Sequence, residues 1–197
     1  MGLFEPKEIR MYERLSFRIK GVAPLLMRNG RLADPLDEFA KAMKELTGKR
    51  KKTDADHMEI GRIEFLGGLY TDDDGHPGIP GENIEGMFNH AAGAHKLKQQ
   101  VQSGLMSNGF WKMKYEGPKS PDVLWKDKRF VDRRGVGVMS SRVIRTRPIF
   151  RKWELEFDVD YAPEMISKNN VMMLAEHAGR FCGLCDHTPK FGRFELS

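Results

Sequence analysis

Near its carboxyl end the sequence reads GRFCGLCDHTPKFGRFELS, with Cys182 and Cys185 in a C-x-x-C spacing and His187 two residues further on. Thiolates and imidazoles so spaced hold zinc when other ligands complete a tetrahedron. The 197 residues contain no other cysteine. Cys182, Cys185 and His187 are therefore the metal candidates of the chain, with incidental or buried thiols as the default. Gly179, Gly183 and Gly192 around them allow positive φ, which serves either a tight helix-to-strand connection or a backbone approach to a ribose-phosphate.

A larger signal is the run from 126 to 152. Lys126, Lys128, Arg129, Arg133, Arg134, Arg142, Arg145, Arg147, Arg151 and Lys152 face only Asp127 and Asp132, a local balance of +8 in a chain of net charge +5. Guanidinium groups grip phosphate oxygens bidentately, and cations clustered between apolar residues are the footprint of a nucleic-acid surface. A solvated sheet face, or a site for an acidic protein, is the competing reading. GIPGENIEG adds a helix start at Gly81 and Asn83, where backbone amides can meet a phosphate. Glu82 and Glu85 oppose an anion there. Arg28, Lys190 and Arg193 complete the set of cations considered. Phe110, Trp111, Trp125 and Phe130 are possible stacking surfaces, with core packing the default for each. No Ser-His-Asp or phosphate-binding P-loop pattern occurs.

The elements that must position these groups follow from periodicity. Leu15, Phe17 and Ile19 alternate with polar residues, which predicts a strand ended by Gly21 and Pro24. Asp34 as N-cap and Pro35 at the first turn predict a helix with the stripe Leu36, Phe39, Ala40, Met43 and Leu46, stopped by Gly48. GKRKKTDAD reads as a solvated loop before a second helix carrying Met58, Ile60, Ile63 and Phe65. A third helix starts between Pro80 and Asn83, with Ile84, Met87, Phe88, Ala91 and Ala92 on one face. FWKMKYEGPKSPDVLW reads as an irregular connection. Residues 130–161 predict a long hairpin and a further strand. A helix capped near Asn169 or Asn170, burying Val171, Leu174, Ala175 and Ala178, and a last strand in KFGRFEL close the chain.

That order predicts an α+β protein with a ferredoxin-like βαββαβ core of the RRM-like kind, in one domain over 1–197. A helical insertion occupies about 34–70 and a basic β-hairpin arm about 126–152. The fold by itself implies no function. Three segments, however, resemble the RAMP superfamily of RNA-binding proteins, which includes backbone subunits of CRISPR effector complexes. They are GIPGENIEGMFNHAA, the strand pair VDRRGVGVMSSRVIRTRPIFRKWELEFDV, and AGRFCGLCDHTPKFGRFEL with its glycine-rich loop. The resemblance covers about 14–28 and 78–196. It departs from the family in the small size of the chain and in a loop that carries Cys182, Cys185 and His187 where a fuller glycine run is usual.

The resemblance implies single-stranded RNA, or single-stranded DNA, as partner, bound through its backbone. It also implies head-to-tail assembly as a homo-oligomer or filament, or as a subunit of a ribonucleoprotein complex. Some family members cleave RNA with an acid in the loop after the first strand, which makes Asp34 and Asp37 the position-matched catalytic candidates. Either could hold a divalent ion, though helix capping is the default for Asp34. With 33 basic and 28 acidic residues, two cysteines and no long apolar run, the composition predicts a cytoplasmic protein that needs no membrane and no cofactor. The charged amino-terminal segment does not read as a signal peptide.

Overall fold

The computed structural model describes residues 11–138 and 141–197; the charged first ten residues and Met139–Ser140 lie outside the described residues. The fold is α+β. Strand β1 (Glu13–Gly21) puts Phe17 and Ile19 inward and Ser16, Arg18 and Lys20 outward. It lies between β8 (Glu154–Tyr161) and the short β9 (Phe194–Leu196), antiparallel to both. Beyond β8 comes β5 (Phe110–Lys114), then β3 (Gly78–Pro80) at the edge, while the two-residue β4 (Leu105–Met106) also pairs with β8. Counting only β1, β5, β8 and β9, the order across the sheet is 4-1-3-2, the ferredoxin-like arrangement.

Helices α3 (Gly81–His95) and α6 (Lys168–His177) cover one face of this sheet. Ile84, Met87, Phe88, Ala91 and Ala92 of α3 are all buried, as their spacing predicts. Phe88 meets Phe17 with ring centroids 6.0 Å apart, and Phe17 stacks on Phe157 at 5.4 Å. Val171, Leu174, Ala175 and Ala178 are also buried as expected. Ser167, however, caps α6 in place of Asn169 or Asn170, accepting a hydrogen bond from the Asn170 backbone N–H at 3.2 Å.

The second core strand is β5, inside the segment expected to be irregular. Met113 is buried there between exposed Lys112 and Lys114, a pattern too short to stand out between glycines. The same segment also holds the short helix α5 (Pro121–Lys126). The predicted hairpin exists as β6 (Val131–Val138) and β7 (Ser141–Phe150), but it forms a separate sheet with β2 (Leu25–Leu26), in the order β2-β7-β6. Lys96 ends α3, whereas Lys98 opens a further short helix, α4 (Lys98–Gly104).

The insertion is a pair of packed helices, α1 (Glu38–Thr47) and α2 (Asp54–Gly68). Asp37, not Asp34, is the N-cap of α1, because Arg31 reaches over to fix its carboxylate. In the segment expected to be a loop, Thr53 and Asp56 form a capping box and α2 begins at Asp54. Helix α2 lies along the arm: Gly61 sits beneath Thr146, and Gly68 lies against Pro148.

Candidate nucleic-acid interface

The hairpin register decides what its arginines can do. Asp132 pairs with Arg147, Arg134 with Arg145 and Val136 with Val143, so these six side chains share one face. Arg145 and Arg147, expected on an open surface, turn inward. Arg147 is only 7% exposed, with Nε 2.6 Å from Asp186 Oδ2. Its Nη1 is buried with no acceptor. Arg145 donates through Nη1 to Glu64 Oε1 at 3.0 Å, and Glu64 Oε2 accepts the Thr146 backbone N–H at 2.7 Å. Arg134 donates through Nε to Asp132 Oδ2 at 2.7 Å while its guanidinium lies 4.9 Å from the centre of the Phe191 ring.

The opposite face carries Arg133, Gly135, Gly137, Ile144 and Arg142. Arg133 and Arg142 are exposed there, and Ile144 is 57% exposed. Arg133 approaches the Met58 sulfur of α2 at 3.9 Å and has no carboxylate partner among the described residues.

The glycine-rich loop locks onto the root of this arm. Its Asp186 N–H donates to the Leu26 carbonyl at 3.0 Å and its Gly192 N–H to the Pro24 carbonyl at 2.8 Å. Gly192 and Gly183 have φ of 75° and 86°, and a Cβ at Gly192 would collide with the Leu184 backbone, so glycine is required there. Leu26, Ile149 and Phe191 form a small core under the loop. Lys190, exposed, lies 6.0 Å from the Phe191 ring, and Arg193 is exposed beside the chain turn at Val22 and Ala23.

Asn83, at the start of α3, reaches the same loop, with Nδ2 3.6 Å from Cys185 Sγ and 3.5 Å from the Tyr70 hydroxyl. Tyr70 donates to the Arg28 carbonyl at 3.0 Å, leaving the Arg28 side chain exposed. Segments far apart in sequence, around 28, 83, 134 and 190, thus meet at one end of the molecule. A cleft of about 300 Å³ lies between α3 and the loop, lined by Asn83, Gly86, His90 and Cys185.

Gly81 is buried and serves the fold. Its N–H donates to the Gly109 carbonyl at 2.8 Å, and a Cβ there would strike the Ser107 carbonyl. The close approach it permits is by the chain itself. The aromatic residues are also largely committed inward. Phe130 is buried, Trp125 packs on Phe65 at 5.5 Å, and Trp111 donates through Nε1 to Ser107 Oγ at 3.1 Å. Phe110 is half-buried.

Burial pushes the Cys185 thiol up to about 12, with the Asn83 hydrogen bond opposing and Asp186 adding to the rise; burial raises Cys182 too. Metals and electrophiles require the thiolate. Asp37 accepts from the Phe39 N–H at 2.8 Å and from Arg31 Nε at 2.8 Å. Desolvation opposes its ionisation, but Arg31 and the Phe39 N–H outweigh it and hold the carboxyl below its usual range. Asp34 accepts the Leu36 N–H at 2.9 Å in an exposed turn. Among the described residues, the acids and imidazole close enough to share an ion are Asp72, Asp74 and His76, and the Lys112 ammonium stands 2.9 Å from Asp72 Oδ2.

The open face of the main sheet carries a column of acids on β8, namely Glu154, Glu156, Asp158 and Asp160. Arg14 binds Asp160 at 2.7 and 2.9 Å, Arg18 lies 2.9 Å from Glu156, and Lys114 lies 2.6 Å from it. Lys114 and Arg18 hold the Glu156 carboxyl below its usual range. An RRM sheet presents aromatic residues to bases on this face. Here it presents self-paired charges.

Sequence reading missed Glu64 and Asp186 as partners of the arm. Glu64 carried a signal, as a charge between Ile63 and Phe65 on the inward side of α2. Asp186 carried none.

No protein-family model matches the chain, and no curated protein matches it. Among solved structures, it is similar to a chain in the cryo-EM structure of the Type III-B Cmr-beta bound to cognate target RNA. The match covers 95% of this chain and 59% of that one, at 12% identity and a TM-score of 0.48. This chain therefore spans about 59% of the length of that relative. Among the described residues no helix is long and apolar enough to cross a membrane.

Proposed function

We propose that this chain is a RAMP-type domain that binds single-stranded RNA along its backbone, as part of a head-to-tail or ribonucleoprotein assembly in the cytoplasm. The observation that carries the reading is the convergence of the helix start at Asn83, the root of the arm and the glycine-rich loop on one surface. These are the three segments whose wording resembles the family. Exposed Arg28 and Lys190 lie on the segments that form that surface, exposed Arg133 and Arg142 line the other face of the arm, and backbone-directed cations position a strand without reading its bases. The self-paired acids of β8 favour this surface over the open sheet for a polyanion. Insertion and arm belong, in this reading, to the same single domain.

Titration of labelled single-stranded RNA at several salt concentrations tests it. Each phosphate contact contributes about −0.7 to the slope of log affinity against log salt on a single strand, so four cations give a slope of at least about −3. Affinity should then fall roughly 50-fold or more between about 50 and 200 mM salt. Absence of binding at low salt, or binding indifferent to salt, refutes the reading.

A further inference from the structure

The cations between 126 and 152 fall into two groups. Arg133 and Arg142 lie out along the arm, whereas Lys128, Arg129, Arg151 and Lys152 gather at its root. The short turn Lys128–Phe130 leads directly into β6, and β7 ends one residue before Arg151. Arg151 donates through Nη1 to the Arg129 carbonyl, which joins the two ends of the hairpin. They line a cleft of about 490 Å³ floored by buried Phe130.

That cleft shares Glu116 and Lys152 with a second, of about 580 Å³, which opens at the ends of β1, β5 and the start of β8. The second adds Lys20 and Lys114, over a floor of Trp153 that is 2% exposed. Lys20, Lys128 and Lys152 are exposed and have no carboxylate partner among the described residues. Glu116 and Glu154 are the acids on its walls.

We propose that this joined groove is a second nucleic-acid surface, which takes the phosphodiester backbone of the strand as it leaves the arm. The inference rests on the RNA-binding reading above. Three features favour a nucleic-acid strand over an acidic protein. Phe130 and Trp153 of the floor are buried and the half-buried Tyr115 is tied to the Pro118 carbonyl, so the groove offers few of the exposed apolar anchors on which protein interfaces depend. The groove continues the arm, whose eight-residue strand β6 spans about 25 Å. Beyond Glu154 the acids of β8 are already paired with Arg14, Arg18 and Lys114, so among the described residues the sheet there offers phosphates no free cation and the unpaired lysines lie in the groove.

The test uses the full chain and oligouridylates of graded length. Wild-type affinity should rise with length until the strand spans both arm and groove, because the second contact becomes intramolecular. Replacing Lys20, Lys128 and Lys152 together with Ala should remove that later rise and make the salt slope on long RNA shallower by about 2, or about 0.7 for each lost contact. The triple Lys→Arg variant should restore both. Short RNA should bind the Ala variant as it binds wild type.

If the Ala variant keeps the wild-type length dependence and slope, while replacement of Arg28, Arg133, Arg142 and Lys190 abolishes binding, the groove proposal is wrong and the RNA-binding reading stands. Loss of affinity with an unchanged slope also overturns it. Wild type that binds no RNA of any length defeats the underlying reading instead.

Discussion

Glu64 should set the angle of the arm, and its removal is the sharpest test of that arrangement. Strand β7 pairs with β6 along its length but with β2 only at Ile149 and Phe150, so at Thr146 its outer edge has no neighbouring strand. The Glu64 carboxylate fills that place, accepting the Thr146 N–H at 2.7 Å and Arg145 at 3.0 Å while only 8% exposed. In Glu64→Ala a buried backbone donor loses its partner, at a cost of about 1–3 kcal/mol. Arg145, a third exposed, loses a partner worth up to about 1 kcal/mol after solvent screening. The total is about 1–4 kcal/mol, and at 2–4 °C per kcal/mol for a chain this size the melting temperature should drop by about 2–16 °C. Glu64→Gln keeps an acceptor for Thr146 and should cost about 1 kcal/mol. Urea and thermal unfolding followed by circular dichroism measure both, and hydrogen exchange at the Thr146 amide should accelerate in the Ala variant alone. An Ala variant within about 0.5 kcal/mol of wild type refutes the argument, since that is the range of an ordinary surface substitution. A Gln variant as damaged as the Ala variant would instead assign the stabilisation to the charge opposite Arg145.

Arg147→Ala should lower stability by about 2–3 kcal/mol by stranding Asp186 in the glycine-rich loop, a figure reduced from that of a fully buried pair because Asp186 is partly exposed; Arg142→Ala should leave the melting temperature unchanged and weaken RNA binding, which thermal unfolding and titration separate. Desolvation, then His95 and His90, hold the His177 imidazole below its ordinary value of 6.5. The unfolded chain therefore binds the proton more readily, so the contribution of this group is present above pH 6.5 and is lost as pH falls through the lowered value. A melting-temperature profile from pH 8 downward should show that loss, flattened in His177→Gln.

Much of the main fold was legible because its elements are long enough to repeat a pattern. The alternation in β1 and the 3.6-residue stripe of α3 each place several residues correctly. Strand β5 was hidden because only Met113 of its five residues is buried. Asp34–Pro35 carried every local mark of a helix start, yet α1 begins three residues later, where Arg31 anchors Asp37 and packs 4.5 Å from the Phe39 ring. A capping rule sees the neighbouring backbone and not an arginine that folds back onto the helix start. The interface divides in the same way. The cations themselves could be counted, but their orientation depended on carboxylates at Glu64 and Asp186, about 80 and 40 residues from the arm in opposite directions.

Net charge alone would have led to a different surface. The chain is +5, and the sheet face opposite α3 and α6 is open to solvent along β8. Yet the acids there pair with Arg14, Arg18 and Lys114, and the +8 balance of residues 126–152 places the excess positive charge in what has been added to the ferredoxin-like core, the arm and its root. Ion pairs divide those additions again. Arg145 and Arg147 hold the arm to the body through Glu64 and Asp186 and Arg134 through the Phe191 ring, while Arg133, Arg142, Lys128 and Lys152 remain turned to solvent. On the proposed function, the first group makes the arm stiff enough for the second to meet a strand at fixed spacing. It follows that Glu64→Ala should weaken RNA binding without touching RNA, and that the variant should stay weaker than wild type by the same factor at every salt concentration, because the number of phosphate contacts is unchanged. An equal salt slope in Glu64→Ala and wild type, with weaker affinity in the variant, is the result this argument requires; a shallower slope would mean that Glu64 had been holding phosphate-binding cations in place one by one.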